Sequence, residues 1–255
     1  MFPFVPSLLP QLSLVAWSMA IVAAICVGLT KAGFNGCGLI TVVLMTQIMP
    51  AKESTGAVLP MLIAADLMAI GIYRKHVEWK ELWGLFPTTF VGLIAGWGLM
   101  KVIPNHVFGH VLGWMILAMM GLVIWQRFDR RMLSEILNHP ALGSFSGFLA
   151  GVSTMMANAG GPAMTFYLLA RKFDKMAFVG TCAWFFFLTN LTKVPLSWSL
   201  GLISRSSLMF NLALIPAVAA GMIGGRYLLG KVPQASFDWI LIVMSTAVAL
   251  KLALS

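Results

Sequence analysis

The chain has 255 residues, 60% of them hydrophobic and only 10% charged, with a mean hydropathy of +0.91. A soluble domain carries roughly 25% charged residues, so the composition excludes an ordinary soluble protein and leaves one built from membrane-spanning helices of about 20 residues each. The formal charge of +9 does not imply nucleic acid, because the Lys and Arg residues are scattered between apolar runs as topology signals and form no basic stripe.

Along the chain, the opening stretch MFPFVPSLLPQLSLVAW has neither a basic leader region nor a small-residue cleavage site, so it reads as leading into a retained first span, Leu12 to Thr30. The sequence KAGFNGCG then interrupts the helix. The apolar stretch from Leu39 to Met49 would be only about 16 Å long as a helix, too short to cross alone, and is predicted as a half-helix. Full spans follow at Ser54 to Tyr73, Leu82 to Lys101 and Val107 to Gln126. After the polar segment RFDRRMLSEILNHP the series starts again: Ala141 to Asn158, the break AGGP, a short stretch from Ala163 to Ala170, then spans at Met176 to Lys193, Leu208 to Leu229 and Phe237 to Leu254. The expected fold is an all-α polytopic membrane protein of two homologous repeats. The first occupies 1–126 and the second 141–255, with a connecting loop at 127–140. Each repeat is a glycine-broken helix and half-helix followed by three transmembrane helices.

A duplicated membrane unit keeps its glycines in step. At an offset of 123, Gly28 falls on Gly151, Asn35 on Asn158, Gly38 on Gly161 and Lys52 on Lys175. At 129, Pro87 falls on Pro216, Gly92 on Gly221, Gly96 on Gly225 and Pro104 on Pro233. The change of offset places six extra residues in the LSWSLGLISRSS connection. If each broken segment returns to its own side, the loop cations divide ten to four between the two faces, against eight to six if it crosses. The positive-inside rule therefore favours inverted repeats.

These residues resemble the sulfite exporter TauE/SafE family of membrane transporters over nearly the whole chain. The most specific element is GVSTMMANAGGPAMTFYLLARKFDKMAFVGT, in which Gly160, Gly161 and Pro162 match the family's GGP and Gly180 and Thr181 its following Gly-Thr. In the first break, Asn35, Gly36, Cys37 and Gly38 stand where family members carry a fuller glycine run. The resemblance implies movement of a small sulfur-containing anion, sulfite or an organosulfonate such as sulfoacetate, across the bacterial inner membrane by a multi-pass protein.

The residues point the same way independently. Unwound backbone at membrane depth is tolerated only inside protein or along a wet cavity. Two matched breaks followed by half-helices therefore offer free N–H groups to an anion. Pro162 suits a first helical turn, and Gly36, Gly38, Gly160 and Gly161 let a ligand approach the backbone. Asn35 and Asn158 either donate to oxyanion oxygens or bridge the broken backbone themselves. Lys31 is a site cation or a snorkelling side chain. Asp66 is a proton-coupling residue or the partner of Lys31 or Lys193; at the offset of 123 Thr189 falls on Asp66 and Asn190 follows it, so both are expected to line the same cavity. Lys193 and Arg226 are expected at the interface, and the run Phe185 to Phe187 as filler. Gly92, Gly96, Gly221 and Gly225 are expected to serve close helix packing.

No HExxH, GxSxG or Walker-type sequence occurs, and Cys26, Cys37 and Cys182 have no metal-ligand spacing. The expectation is a transporter and not an enzyme, with no cofactor, no metal and no catalytic residue. Its partners would be the anion and membrane lipid, with homo-oligomer formation left open. An intramembrane enzyme and a structural membrane subunit are the alternatives.

Overall fold

The computed structural model of the protein describes residues 12–34, 37–104, 141–171 and 173–233, with isolated positions within 107–121 and 236–250. Among these residues the secondary structure is helical, without a strand. The predicted loop at 127–140 lies outside the described residues, as do most of the spans from Val107 to Gln126 and from Phe237 to Leu254.

Nine α-helices carry the described fold: α1 Leu14–Lys31, α2 Cys37–Ile48, α3 Ala51–Ala57, α4 Leu59–Tyr73, α5 Trp79–Val102, α6 Ala141–Ala157, α7 Gly161–Ala170, α8 Lys175–Ser199 and α9 Arg205–Lys231. Helix starts follow local chemistry. Ser13 accepts from the Ala16 N–H, Asp174 from the Ala177 N–H, and Ser204 and Ser207 form a reciprocal capping box. Helices α1, α5, α8 and α9 are long and apolar enough to cross a membrane, and the bent pair of α3 and α4 together has the length and composition of a fifth. The chain is thus a multi-pass membrane protein. The half-helices α2 and α7, of 12 and 10 residues, reach only about 18 and 15 Å.

Glycines decide which helices meet. Helix α1 packs on α9 and α6 packs on α5, so each half of the chain clasps a helix of the other. A Cβ at Gly28 would lie 2.2 Å from the Val218 carbonyl oxygen, and one at Gly221 would lie 2.1 Å from that of Ile25. The second contact repeats the first, with Gly92 at 2.2 Å from the Phe148 oxygen and Gly151 at 2.2 Å from the Thr89 oxygen. Backbones this close leave no room for a side chain, which is how small residues hold helices together in lipid. The offsets map one contact onto the other.

A pair of lysines repeats too. Lys52 at the start of α3 donates to the carbonyl of Ile103, and Lys175 at the start of α8 donates to that of Val232 at 2.8 Å. Each lysine thereby satisfies a carbonyl at the end of α5 or α9 that has no partner within its helix. The six extra residues of the second half are divided. Helix α8 runs three residues past, and α9 begins three residues before, the positions that the offsets set.

One predicted span needs correction. Ser54 to Tyr73 is not a single straight helix: it is bent by 41° between α3 and α4. Pro60 supplies the cause, since it has no N–H for the Gly56 carbonyl and its ring crowds that oxygen. The bend separates Met61 N–H from the Ala57 carbonyl, which a straight helix would join. Asn211 of α9 bridges the gap, accepting from Met61 N–H at 3.2 Å and donating to Ala57. Irregular backbone among the described residues is therefore not confined to the two glycine breaks.

Helix α8 is the centre of the described bundle, mostly buried where α1, α5 and α9 keep the larger share of their length at the surface. The outward faces carry Val91, Leu212, Ile223 and other large apolar side chains, as lipid-facing surfaces require. Trp79, Trp83 and Trp198 are exposed near helix ends, in the manner of an interfacial aromatic belt.

Candidate functional site

The first break is closed by local hydrogen bonds. Gly33, at φ 122°, reverses the chain after α1, while Gly33 N–H donates to Thr30 and Phe34 N–H to Leu29. This is the two-bond helix ending that needs a left-handed residue. In the second break Asn158 takes that role at φ 56°, a conformation that asparagine tolerates better than most side chains.

The two breaks meet. A cavity of about 40 Å³ is lined by Lys31 and Gly38 from the first, by Asn158, Gly161 and Pro162 from the second, and by Asn190 of α8. It has room for a small ion or a few waters. Pro162 stands at the start of α7, where a missing N–H costs nothing.

Behind this lining runs a continuous polar chain. Lys31 and Asp66 form an ion pair at 2.7 Å, with side-chain exposures of 6 and 0%. The Lys31 ammonium also lies 4.5 Å from the centre of the Phe186 ring, within range of a cation–π contact. Asn190 donates to the other Asp66 oxygen at 2.7 Å. Lys193 donates to Asn158 and, at 3.5 Å, to Asn190. Asn158 in turn donates at 2.9 Å to the carbonyl of Thr55 on α3. Chemistry fixes both amide orientations, since the lysine can only donate while the carboxylate and the backbone carbonyl can only accept.

The sequence-predicted residues divide as follows. Lys31, Gly38, Asn158, Gly161 and Asn190 line the cavity. Asp66 stands one contact behind it, paired with Lys31. Thr189 is buried with its hydroxyl donating to the Phe185 carbonyl at 2.7 Å, so that hydroxyl is engaged within its own helix. Gly160 packs near Phe186 and Thr154. Asn35 and Gly36 lie outside the described residues.

Two expectations are overturned here. Lys193, expected at the interface, is 1% exposed, because α8 continues through Pro195 to Ser199 and carries the lysine well inside the helix. Phe186, expected as filler, seats the Lys31 ammonium. The available signal was spacing: Phe186, Asn190 and Lys193 recur at four and three residues and so share one helix face. Nothing local marks the carbonyl of Thr55. Arg226 is exposed, as expected of a snorkelling side chain. Among the described residues no group of His, Cys, Asp and Glu is arranged to hold a metal ion.

The model of a protein family described as "Sulfite exporter TauE/SafE" matches residues 20–252. No curated protein and no solved structure matches the chain.

Proposed function

The chain belongs to the sulfite exporter TauE/SafE family, and from that premise we propose that it exports a small sulfur-containing anion, sulfite or an organosulfonate such as sulfoacetate, across the bacterial inner membrane. The observation that carries this reading is the convergence of both helix breaks on one cavity, with Lys31, Asn158 and Asn190 in its wall. Two half-helix starts bring partial positive charge, and the side chains add a cation and amide donors. An oxyanion uses all of these, whereas a cation or an apolar solute would leave them unsatisfied.

In the proposed mechanism the two repeats, 1–126 and 141–255, are inverted relative to each other and rock about the shared site to expose it to each side in turn. The Lys31–Asp66 pair supplies the coupling step. The anion binds while the pair is intact; a proton taken up by Asp66 cancels its charge and frees Lys31, and loss of that proton restores the pair.

The test is anion flux in proteoliposomes, wild type beside Asn158→Gly. Glycine accepts the left-handed backbone without strain and removes only the amide. Flux of sulfite or an organosulfonate by the wild type, reduced at least about tenfold in the variant at subsaturating anion, supports the site. Absence of flux for every sulfur oxyanion tried would overturn the function, and an unimpaired Asn158→Gly would remove Asn158 from the site.

A further inference from the structure

The charges of the buried chain sum to a definite value. Among the described residues, the Lys, Arg, Asp and Glu side chains buried within the helices are Lys31, Asp66 and Lys193. Lys31 and Asp66 are in contact at 2.7 Å and cancel. Lys193 meets the amide oxygens of Asn158 and Asn190, which solvate a cation without neutralising it. With all three ionised, the described residues leave one positive charge in the interior. An uncompensated charge at apolar depth is costly, and a bound anion of one unit removes the excess, whereas an anion of two units replaces it with the opposite excess.

We propose that the site is charge-matched to a singly charged oxyanion and discriminates against doubly charged oxyanions of the same size, with Lys193 as the counter-charge. This deepens the anion-site reading above and rests on it, selecting within that class hydrogensulfite or a monosulfonate over sulfoacetate, whose sulfonate and carboxylate carry two charges. Lys193 stands one hydrogen bond behind the cavity wall and acts through the two asparagines that line it. Because the ammonium draws both amide oxygens toward itself, each amide NH₂ is turned elsewhere. Asn158 and Asn190 each keep a second N–H beyond the one given to Thr55 or Asp66. Lys31, already committed to Asp66, contributes shape and a donor but no net charge.

The experiment is equilibrium binding to the purified full-length protein in detergent, by calorimetry, with two probes of similar size: methanesulfonate, a monoanion, and sulfate, a dianion. The wild type should bind methanesulfonate at least about tenfold more tightly than sulfate. Lys193→Gln keeps a hydrogen-bond donor for the asparagines and removes the charge. A unit charge lost at about 6 Å in an effective dielectric of about 20 changes affinity about a hundredfold, so methanesulfonate binding should fall by that order. The double variant Lys31→Met with Asp66→Asn leaves the net charge unchanged and should keep the preference for the monoanion, even where both affinities drop. Asp66→Asn alone raises the net charge by one and should move the preference toward sulfate.

Sulfate binding the wild type as tightly as methanesulfonate would overturn the proposal, as would Lys193→Gln binding methanesulfonate as the wild type does, or a charge-neutral double variant that loses the preference. If Asp66→Asn does not fold, the comparison of Lys193→Gln with the charge-neutral double variant still decides. If neither probe nor sulfite binds the wild type, the anion-site reading falls and this inference falls with it; binding without charge discrimination overturns the inference alone.

Discussion

Asn211→Leu tests whether one side chain holds the bent span together. Leucine has as many side-chain heavy atoms as asparagine and is somewhat bulkier, so the substitution opens no cavity. It does remove the acceptor for Met61 N–H and the donor to the Ala57 carbonyl. Pro60 prevents the helix from straightening to join these groups to each other, and Asn211 is 3% exposed, so water does not replace it. Each orphaned buried backbone group costs about 1 to 3 kcal/mol, which for the two groups gives about 2 to 6 kcal/mol. The apparent melting temperature of detergent-solubilised protein, followed by the surviving monodisperse fraction on size exclusion, should fall on the order of 10 °C. Adding Pro60→Ala to Asn211→Leu lets Met61 N–H reach the Ala57 carbonyl, and most of the loss should be recovered. Wild-type melting in Asn211→Leu, or a double variant no more stable than the single one, would refute the account of the bend.

The glycine contacts make a sharper steric prediction. Gly221→Ala and Gly151→Ala each drive a methyl into a facing backbone carbonyl and should destabilise by about 1 to 3 kcal/mol or more, whereas Gly224→Ala and Gly98→Ala, with nothing within 4 Å, should melt with the wild type. A common effect at all four positions would show that helix propensity and not packing is at work. For the coupling step, Asp66→Asn should abolish the response of anion flux to an imposed pH gradient in proteoliposomes, since an amide cannot carry the proton. A variant that responds as the wild type does would leave Asp66 as the structural partner of Lys31.

Much of the architecture is determined locally and is therefore legible in the chain itself. A run of apolar residues with few charges must form a helix in lipid because its backbone has no other hydrogen-bond partner. Observed helices α1, α5, α6 and α9 accordingly start and stop within a few residues of the predicted spans. The glycine breaks are equally local, since Gly33 and the sequence around Pro162 satisfy turn and helix-start geometry using only near neighbours. Even the bend at Val58 had its signal in Pro60, which sits inside the apolar run.

Partner choice between distant segments was decided only by the tertiary structure. Lys31 pairs with Asp66, Asp66 with Asn190 across 124 positions, and Asn211 with the bend across 150, because of which helix faces the glycine contacts bring together. Those contacts cross between the halves, α1 onto α9 and α6 onto α5, so no reading of one repeat alone contains them. Lys193 shows the limit most plainly. Its side chain is the kind that snorkels whenever a helix end lies within reach, and composition cannot say that α8 runs on past Pro195 and holds the ammonium against two asparagines in the middle of the bundle. The burial of a charge depends on what surrounds it, and its surroundings come from other helices.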